Sequence, residues 1–155
     1  MNPELEILLV EDNPYDAELI IRALGKRHLA KHLIHVTDGQ AALDFLFGVG
    51  IYQGRDVQLQ PKVVLLDLKL PKIDGIEVLR RFRSDPRTKL LPIVVLTSSH
   101  EDRDVIESYK LGANSYIVKP VDFDQFSEVV SHMGVYWLML NEPPIPASPA
   151  LMIQP

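Results

Sequence analysis

The sequence predicts an α/β fold, five β-α units wound into a parallel sheet with helices on both faces. Three observations carry that prediction. Short apolar runs such as Ile7–Val10, Val63–Leu66 and Ile93–Leu96 recur along the chain, and continuous apolar runs of this kind suit strands buried on both faces. Amphipathic stretches with helical spacing lie between them. The apolar runs also end abruptly in charged or hydroxyl-bearing residues.

Each element can be justified in turn. The first strand, β1, is Ile7–Val10, and Asn13-Pro14 breaks it. Helix α1 follows from Tyr15 to Lys26, with Ala17, Ile20, Ile21 and Leu24 at helical spacing and Gly25 near its end. A weaker strand, β2, is Leu33 to Val36. Asp38-Gly39 turns the chain into α2, which carries Ala41, Ala42, Phe45 and Leu46. Strand β3, Val63–Leu66, is the most apolar and ends at Asp67. Helix α3 runs from Gly75 to Arg83, with Ile76, Leu79 and Phe82 facing inward. Strand β4, Ile93–Leu96, ends at Thr97, and the polar helix α4, Glu101 to Leu111, stops at Gly112. Strand β5 is Ser115 to Val118 and ends at Lys119-Pro120. Helix α5 starts near Phe123 and extends as far as Met139.

Two segments fall outside this repeat. Gly48 to Pro61 exceeds the usual αβ connection of about 2–6 residues, and is either an ordered excursion that serves a partner or a tolerated surface insertion. Pro143 to Pro155 is proline-rich and is expected to be an extended or disordered tail, which divides the chain into a domain at 1–142 and a flexible tail at 143–155.

The 155 residues suit one domain with a substantial core. A net charge of -5 without a Lys/Arg block argues against nucleic acid as the main partner. Cysteine is absent, so disulfides, thiolate metal sites and cysteine nucleophiles are excluded. No secretory signal is visible, and no apolar run approaches the ~20 residues that span a bilayer, so a cytoplasmic protein without membrane partners is expected. The histidines at 28, 32, 35, 100 and 132 have no metal-ligand spacing.

In an open parallel sheet, chemistry gathers at the carboxyl ends of the strands. Glu11 and Asp12 follow β1, Asp67 follows β3, Thr97 and Ser98 follow β4, and Lys119 follows β5. The fold would bring them into one acidic pocket with a single lysine. Crowded carboxylates repel, and oxygen-only ligands favour Mg²⁺, which keeps some waters and leaves room for a phosphate oxygen. Such a metal would offset the repulsion when Asp67 attacks phosphorus. Lys119 could pair with one phosphoryl oxygen, and the Thr97 hydroxyl with another.

Leu9-Val10-Glu11-Asp12, the block Leu66-Asp67-Leu68-Lys69-Leu70-Pro71-Lys72-Ile73-Asp74-Gly75, Leu96-Thr97-Ser98 and Lys119-Pro120 together resemble the signature blocks of two-component receiver domains. The resemblance covers roughly residues 5 to 140. It implies a flavodoxin-like sheet in the order 2-1-3-4-5, as in the chemotaxis regulator. It also implies that Asp67 is the phosphoacceptor and that Asp12 binds Mg²⁺ (or Mn²⁺) directly, with Glu11 further out. Lys69 would lend its backbone carbonyl to the metal. Thr97 and Lys119 match the switch hydroxyl and the phosphate-binding lysine. Tyr116 matches the aromatic switch position, swinging inward as Thr97 moves toward phosphate, and Lys119-Pro120 is expected to be a cis peptide. The stretch from Ser108 to Asp122, then Phe126 and Tyr136-Trp137-Leu138, is similar to single-domain regulators that partner phytochrome kinases. The implied function is phosphoryl transfer from a sensor histidine kinase of the phytochrome type, followed by a change in the α4-β5-α5 face that engages a partner or forms a homodimer.

Blander readings stand beside these. Asp67 taken alone could cap a helix, Thr97 and Ser98 could cap α4, and Tyr116 could be a half-buried strand residue. Tyr136 and Trp137 would serve either as core or as an extension of a contact surface. An aspartyl-phosphate phosphatase on a similar sheet would need a second carboxylate two residues past the nucleophile, where this chain has Lys69. A receiver-like scaffold that never takes phosphate is disfavoured by the intact Asp12, Asp67, Thr97 and Lys119 set. The expectation is therefore a signalling module and not an enzyme acting on other substrates.

Overall fold

The computed structural model describes residues 5–144. It contains β1 (Ile7–Val10), α1 (Pro14–Lys26), β2 (Leu33–Val36), α2 (Gly39–Phe47), β3 (Val63–Leu66), α3 (Gly75–Ser84), β4 (Ile93–Thr97), α4 (Asp102–Lys110), β5 (Ser115–Val118) and α5 (Phe123–Val135). A 3₁₀ turn at Gly50–Tyr52 and a π-helical turn at Tyr136–Leu140 complete the set. All strand pairings are parallel, and the sheet order is β2-β1-β3-β4-β5, the expected flavodoxin-like arrangement.

Alternation along the strands divides the interior into two cores. Leu8, Val10, Val64, Leu66, Ile93 and Val95 face one side and pack with Ala42, Leu46, Val78 and Phe82 from α2 and α3. Ile7, Leu9, Val63, Leu65, Val94 and Leu96 face the other, against Ile20 and Leu24 of α1 and Phe126 and Val130 of α5. Phe82 is fully buried, and truncating such a ring to alanine typically costs about 3–5 kcal/mol.

Local chemistry sets most helix starts. Asn13, Asp38, Asp74 and Asp122 each accept backbone amides of the following turn, which satisfies donors left over at a helix N-terminus. Helix α4 is the exception, because the Glu101 side chain at its cap position accepts from Arg103 and from no backbone amide of the helix.

The segment between α2 and β3 is ordered, held by Arg55. Its guanidinium lies 4.1 Å over the Phe45 ring and donates to the carbonyls of Phe45 (2.6 Å), Leu46 (3.4 Å) and Leu59 (2.8 Å). Arg55 thus closes the C-terminal end of α2 while pinning the excursion to it. The helical path after Phe123 continues as far as expected, but its last turn widens, with the Asn141 amide donating to the Tyr136 carbonyl at 2.7 Å. The expected tail at 143–155 lies, from residue 145 onward, outside the described residues.

Candidate functional site

The β1–β3 and β3–β4 registers bring the ends of the three central strands level, so the residues just past them converge. Asp67 emerges from β3 with its amide bonded to the Val10 carbonyl at 3.1 Å, and Glu11 emerges from β1 with its amide bonded to Val36. Thr97 closes β4, and Lys119 follows β5 with its amide on the Thr97 carbonyl at 2.7 Å. All four side chains are buried, whereas Asp12 is exposed.

Lys119 is the hub. Its Nζ lies 2.8 Å from Asp67 Oδ2, 2.6 Å from Glu11 Oε1 and 2.9 Å from Asp16 Oδ2. The Thr97 hydroxyl donates to Asp67 Oδ1 at 2.7 Å, and the Lys69 amide donates to the same oxygen at 3.2 Å. Carboxylate oxygens of Glu11, Asp12 and Asp67 come within 4.8 Å of one another.

One ammonium cannot neutralise this many carboxylates, and the titration of the groups reflects that. Burial pushes the Glu11 carboxyl up to about 7, with the Asp67 charge adding to the effect and Lys119 opposing it. Burial acts to raise Asp67 as well, but hydrogen bonds from Lys119, Thr97 and the Lys69 amide outweigh it and hold the carboxyl below its usual value. Burial works against the Lys119 charge, yet Asp67 and Glu11 keep it protonated well above the ordinary lysine range. The site therefore carries excess negative charge and offers only hard oxygen donors. That donor set fits Mg²⁺ or Mn²⁺. Asp12 and Lys69 line a cavity of about 440 Å³ that also reaches Asp74, Glu101 and Asp104.

The loop after Asp67 depends on Gly75. A Cβ there would stand 2.3 Å from the Asp67 carbonyl oxygen, while the Gly75 amide donates to Leu68 at 2.8 Å. Only glycine allows that approach.

The residues expected from sequence are thus together: Glu11, Asp12, Asp67, Thr97 and Lys119 surround one point, and Lys69 adjoins it. The capping alternative for Asp67 fails, since α3 starts eight residues later and is capped by Asp74. Tyr116 is half-buried, with its hydroxyl donating to the Ser99 carbonyl at 2.9 Å. The expected cis Lys119–Pro120 peptide is corrected: among the described residues no peptide bond is cis. An X–Pro bond prefers trans by about 0.5–1 kcal/mol, and Lys119 reaches its carboxylates from the trans form. Asp16 was not anticipated, because its partner is 103 positions away and an acid in a first helical turn is ordinary. Nor was Ser99, whose hydroxyl donates to Asp104 at 2.5 Å.

Comparison with known proteins agrees with this geometry. The family model of the response regulator receiver domain matches residues 7–131. The probable methanogenesis regulatory protein FilR2 of Methanothrix harundinacea is 42% identical over 91% of this chain and 88% of its own length. Response regulator Rcp1 of Synechocystis sp. is 40% identical, covering 88% of this chain and 91% of Rcp1. The crystal structure of its Mn²⁺-bound form matches with a TM-score of 0.84 over 92% of this chain and 99% of that one. The phosphorylated cyanobacterial phytochrome response regulator RcpA matches at 37% identity with a TM-score of 0.85, over 92% and 99% of the two chains.

Proposed function

This chain belongs to the response regulator receiver domain family, and from that premise we propose that it accepts a phosphoryl group on Asp67 from the phosphohistidine of a sensor kinase, a phytochrome-type kinase in particular. The observation that supports this best is the buried Asp67 carboxylate, held between the Lys119 ammonium at 2.8 Å and the Thr97 hydroxyl at 2.7 Å. The similarity to Rcp1 and RcpA favours the phytochrome partner.

In the transfer, an Asp67 oxygen forms a bond to phosphorus as the P–N bond of the phosphohistidine breaks, and the imidazole leaves. Asp67 is kept ionised for this attack by Lys119 and Thr97. Once it becomes an acyl phosphate, its charge moves outward onto the phosphoryl oxygens, so Lys119 and the Thr97 hydroxyl follow that charge. A divalent cation held by Asp12, Asp67, the Lys69 backbone carbonyl and, more remotely, Glu11 would neutralise charge building on the transferred group. Displacement of Thr97 toward phosphate frees space for Tyr116, and the surface formed by α4, β5 and α5 changes for a partner or a second copy. The chemistry is confined to the chain's own phosphorylation and dephosphorylation, and a cytoplasmic setting suits it. Residues 1–142 form the receiver unit in this reading.

Incubation with acetyl phosphate, with and without Mg²⁺, followed by intact mass and peptide mapping, tests the proposal. One Mg²⁺-dependent phosphoryl group on Asp67, absent in Asp67→Asn, is the expected result. A folded, metal-binding chain that gains no adduct, even of beryllofluoride, would contradict it.

A further inference from the structure

Helix α4 has little to hold it along its length. Ser108 is its one buried residue, and the Ser108 hydroxyl has no hydrogen-bond partner among the described residues. Apart from a loose, half-exposed ion pair between Glu107 and Arg80 of α3 at 3.7 Å, the helix is fastened near its two ends by polar residues from outside it. Beyond its C-terminal end, Arg83 of α3 donates through Nε to the Gly112 carbonyl and through Nη2 to Asn114 Oδ1, both at 2.9 Å. Asn114 Oδ1 also accepts the Ile93 amide at 2.7 Å, which ties that end to β4.

At the other end, where Glu101 provides no cap, Ser99 reaches the first turn through the Asp104 side chain. Its hydroxyl donates to Asp104 at 2.5 Å and accepts the Glu101 amide at 3.4 Å. Ser99 is also held from the side of the phosphoacceptor. Its amide donates to Thr97 Oγ1 at 3.4 Å, and its carbonyl accepts the Tyr116 hydroxyl at 2.9 Å. Thr97 in turn donates to Asp67. A purely structural cap would need the bonds to α4 but not those to Thr97 and Tyr116.

We propose that Ser99 is a positioning residue that links the Asp67–Thr97 pair to the first turn of α4 through Asp104, so that the state of Asp67 sets how firmly that turn is held. The inference rests on Asp67 being the phosphoacceptor. When Thr97 shifts its hydroxyl from the carboxylate to a phosphoryl oxygen, the Ser99 amide loses or moves its acceptor, and the Ser99 hydroxyl carries that displacement to Asp104 and Glu101. Because Arg83 fixes the far end, the response is a swing of the first turn and not a translation of the helix.

The test is amide hydrogen exchange of residues 101–108 in the full chain, before and after acetyl phosphate with Mg²⁺, with adduct formation followed separately by intact mass. In the parent chain, phosphorylation should change exchange in the first turn of α4 by about threefold or more. In Ser99→Ala and in Asp104→Ala the adduct should still form, but that change should vanish. Asp104→Asn, which keeps an acceptor oxygen for the Ser99 hydroxyl, should restore it. Phosphorylated Ser99→Ala or Asp104→Ala chains that retain the parent's change would overturn the link and leave the phosphoacceptor reading intact. No adduct on the parent would remove that reading and the link with it.

Discussion

Replacing Lys119 by alanine would leave Glu11 and Asp67 buried side by side with no cation between them. Breaking a buried pair in this way typically costs about 3–5 kcal/mol. Urea unfolding of Lys119→Ala without metal should show a loss of that order, and added Mg²⁺ should recover part of it. The same variant should take up Mg²⁺ more nearly normally than it responds to phosphorylation, because Asp12 and the carboxylates remain. Asp67, Thr97 and Lys119 could be read from the sequence because Thr97 ends a strand and the other two directly follow one. Asp16 and Ser99 could not. Their significance comes from hydrogen bonds across the fold, to Lys119 from one and to Thr97 and Asp104 from the other, and nothing local distinguishes them from ordinary helix-start residues.

Among the elements, α4 offers a contrast between fold stability and response. A buried hydroxyl without a partner costs about 1–3 kcal/mol, so Ser108→Ala should raise the urea midpoint, provided that the helix keeps its seat. The excursion after α2 makes the opposite case. Arg55→Ala removes the donor shared by the carbonyls of Phe45, Leu46 and Leu59, and hydrogen bonds from a charged group contribute about 1.5–3 kcal/mol. Limited proteolysis should then cut within residues 50–61 much faster than in the parent. The limits of β1, β3 and β4 were legible almost to the residue, since short apolar runs that end in polar groups leave little latitude. The 3₁₀ turn at Gly50–Tyr52 and the π-helical turn at Tyr136–Leu140 were not, because one is a single turn closed by the Tyr52 and Gln53 amides and the other is a local widening that no periodicity announces.

At the scale of the molecule, excess negative charge at the strand ends would make a divalent cation a stabilising ligand. At about 100 times its dissociation constant, Mg²⁺ should add about 2.7 kcal/mol and raise the melting temperature by about 5–10 °C. Asp12→Ala should abolish most of that shift in a thermal scan. The sheet order was legible because parallel connections leave few alternatives once the resemblance is granted. The trans Lys119–Pro120 bond was not, since both isomers are accessible to any X–Pro pair. The sparse anchoring of α4 also bears on descent. Asp102, Arg103, Ile106, Tyr109 and Lys110 point outward and contribute nothing to either core. Substitutions there leave both cores untouched, while Asp67, Thr97 and Lys119 are buried at the strand ends. Lineages of such a chain can therefore exchange one outward-facing vocabulary for another while the buried cluster at the strand ends stays as it is.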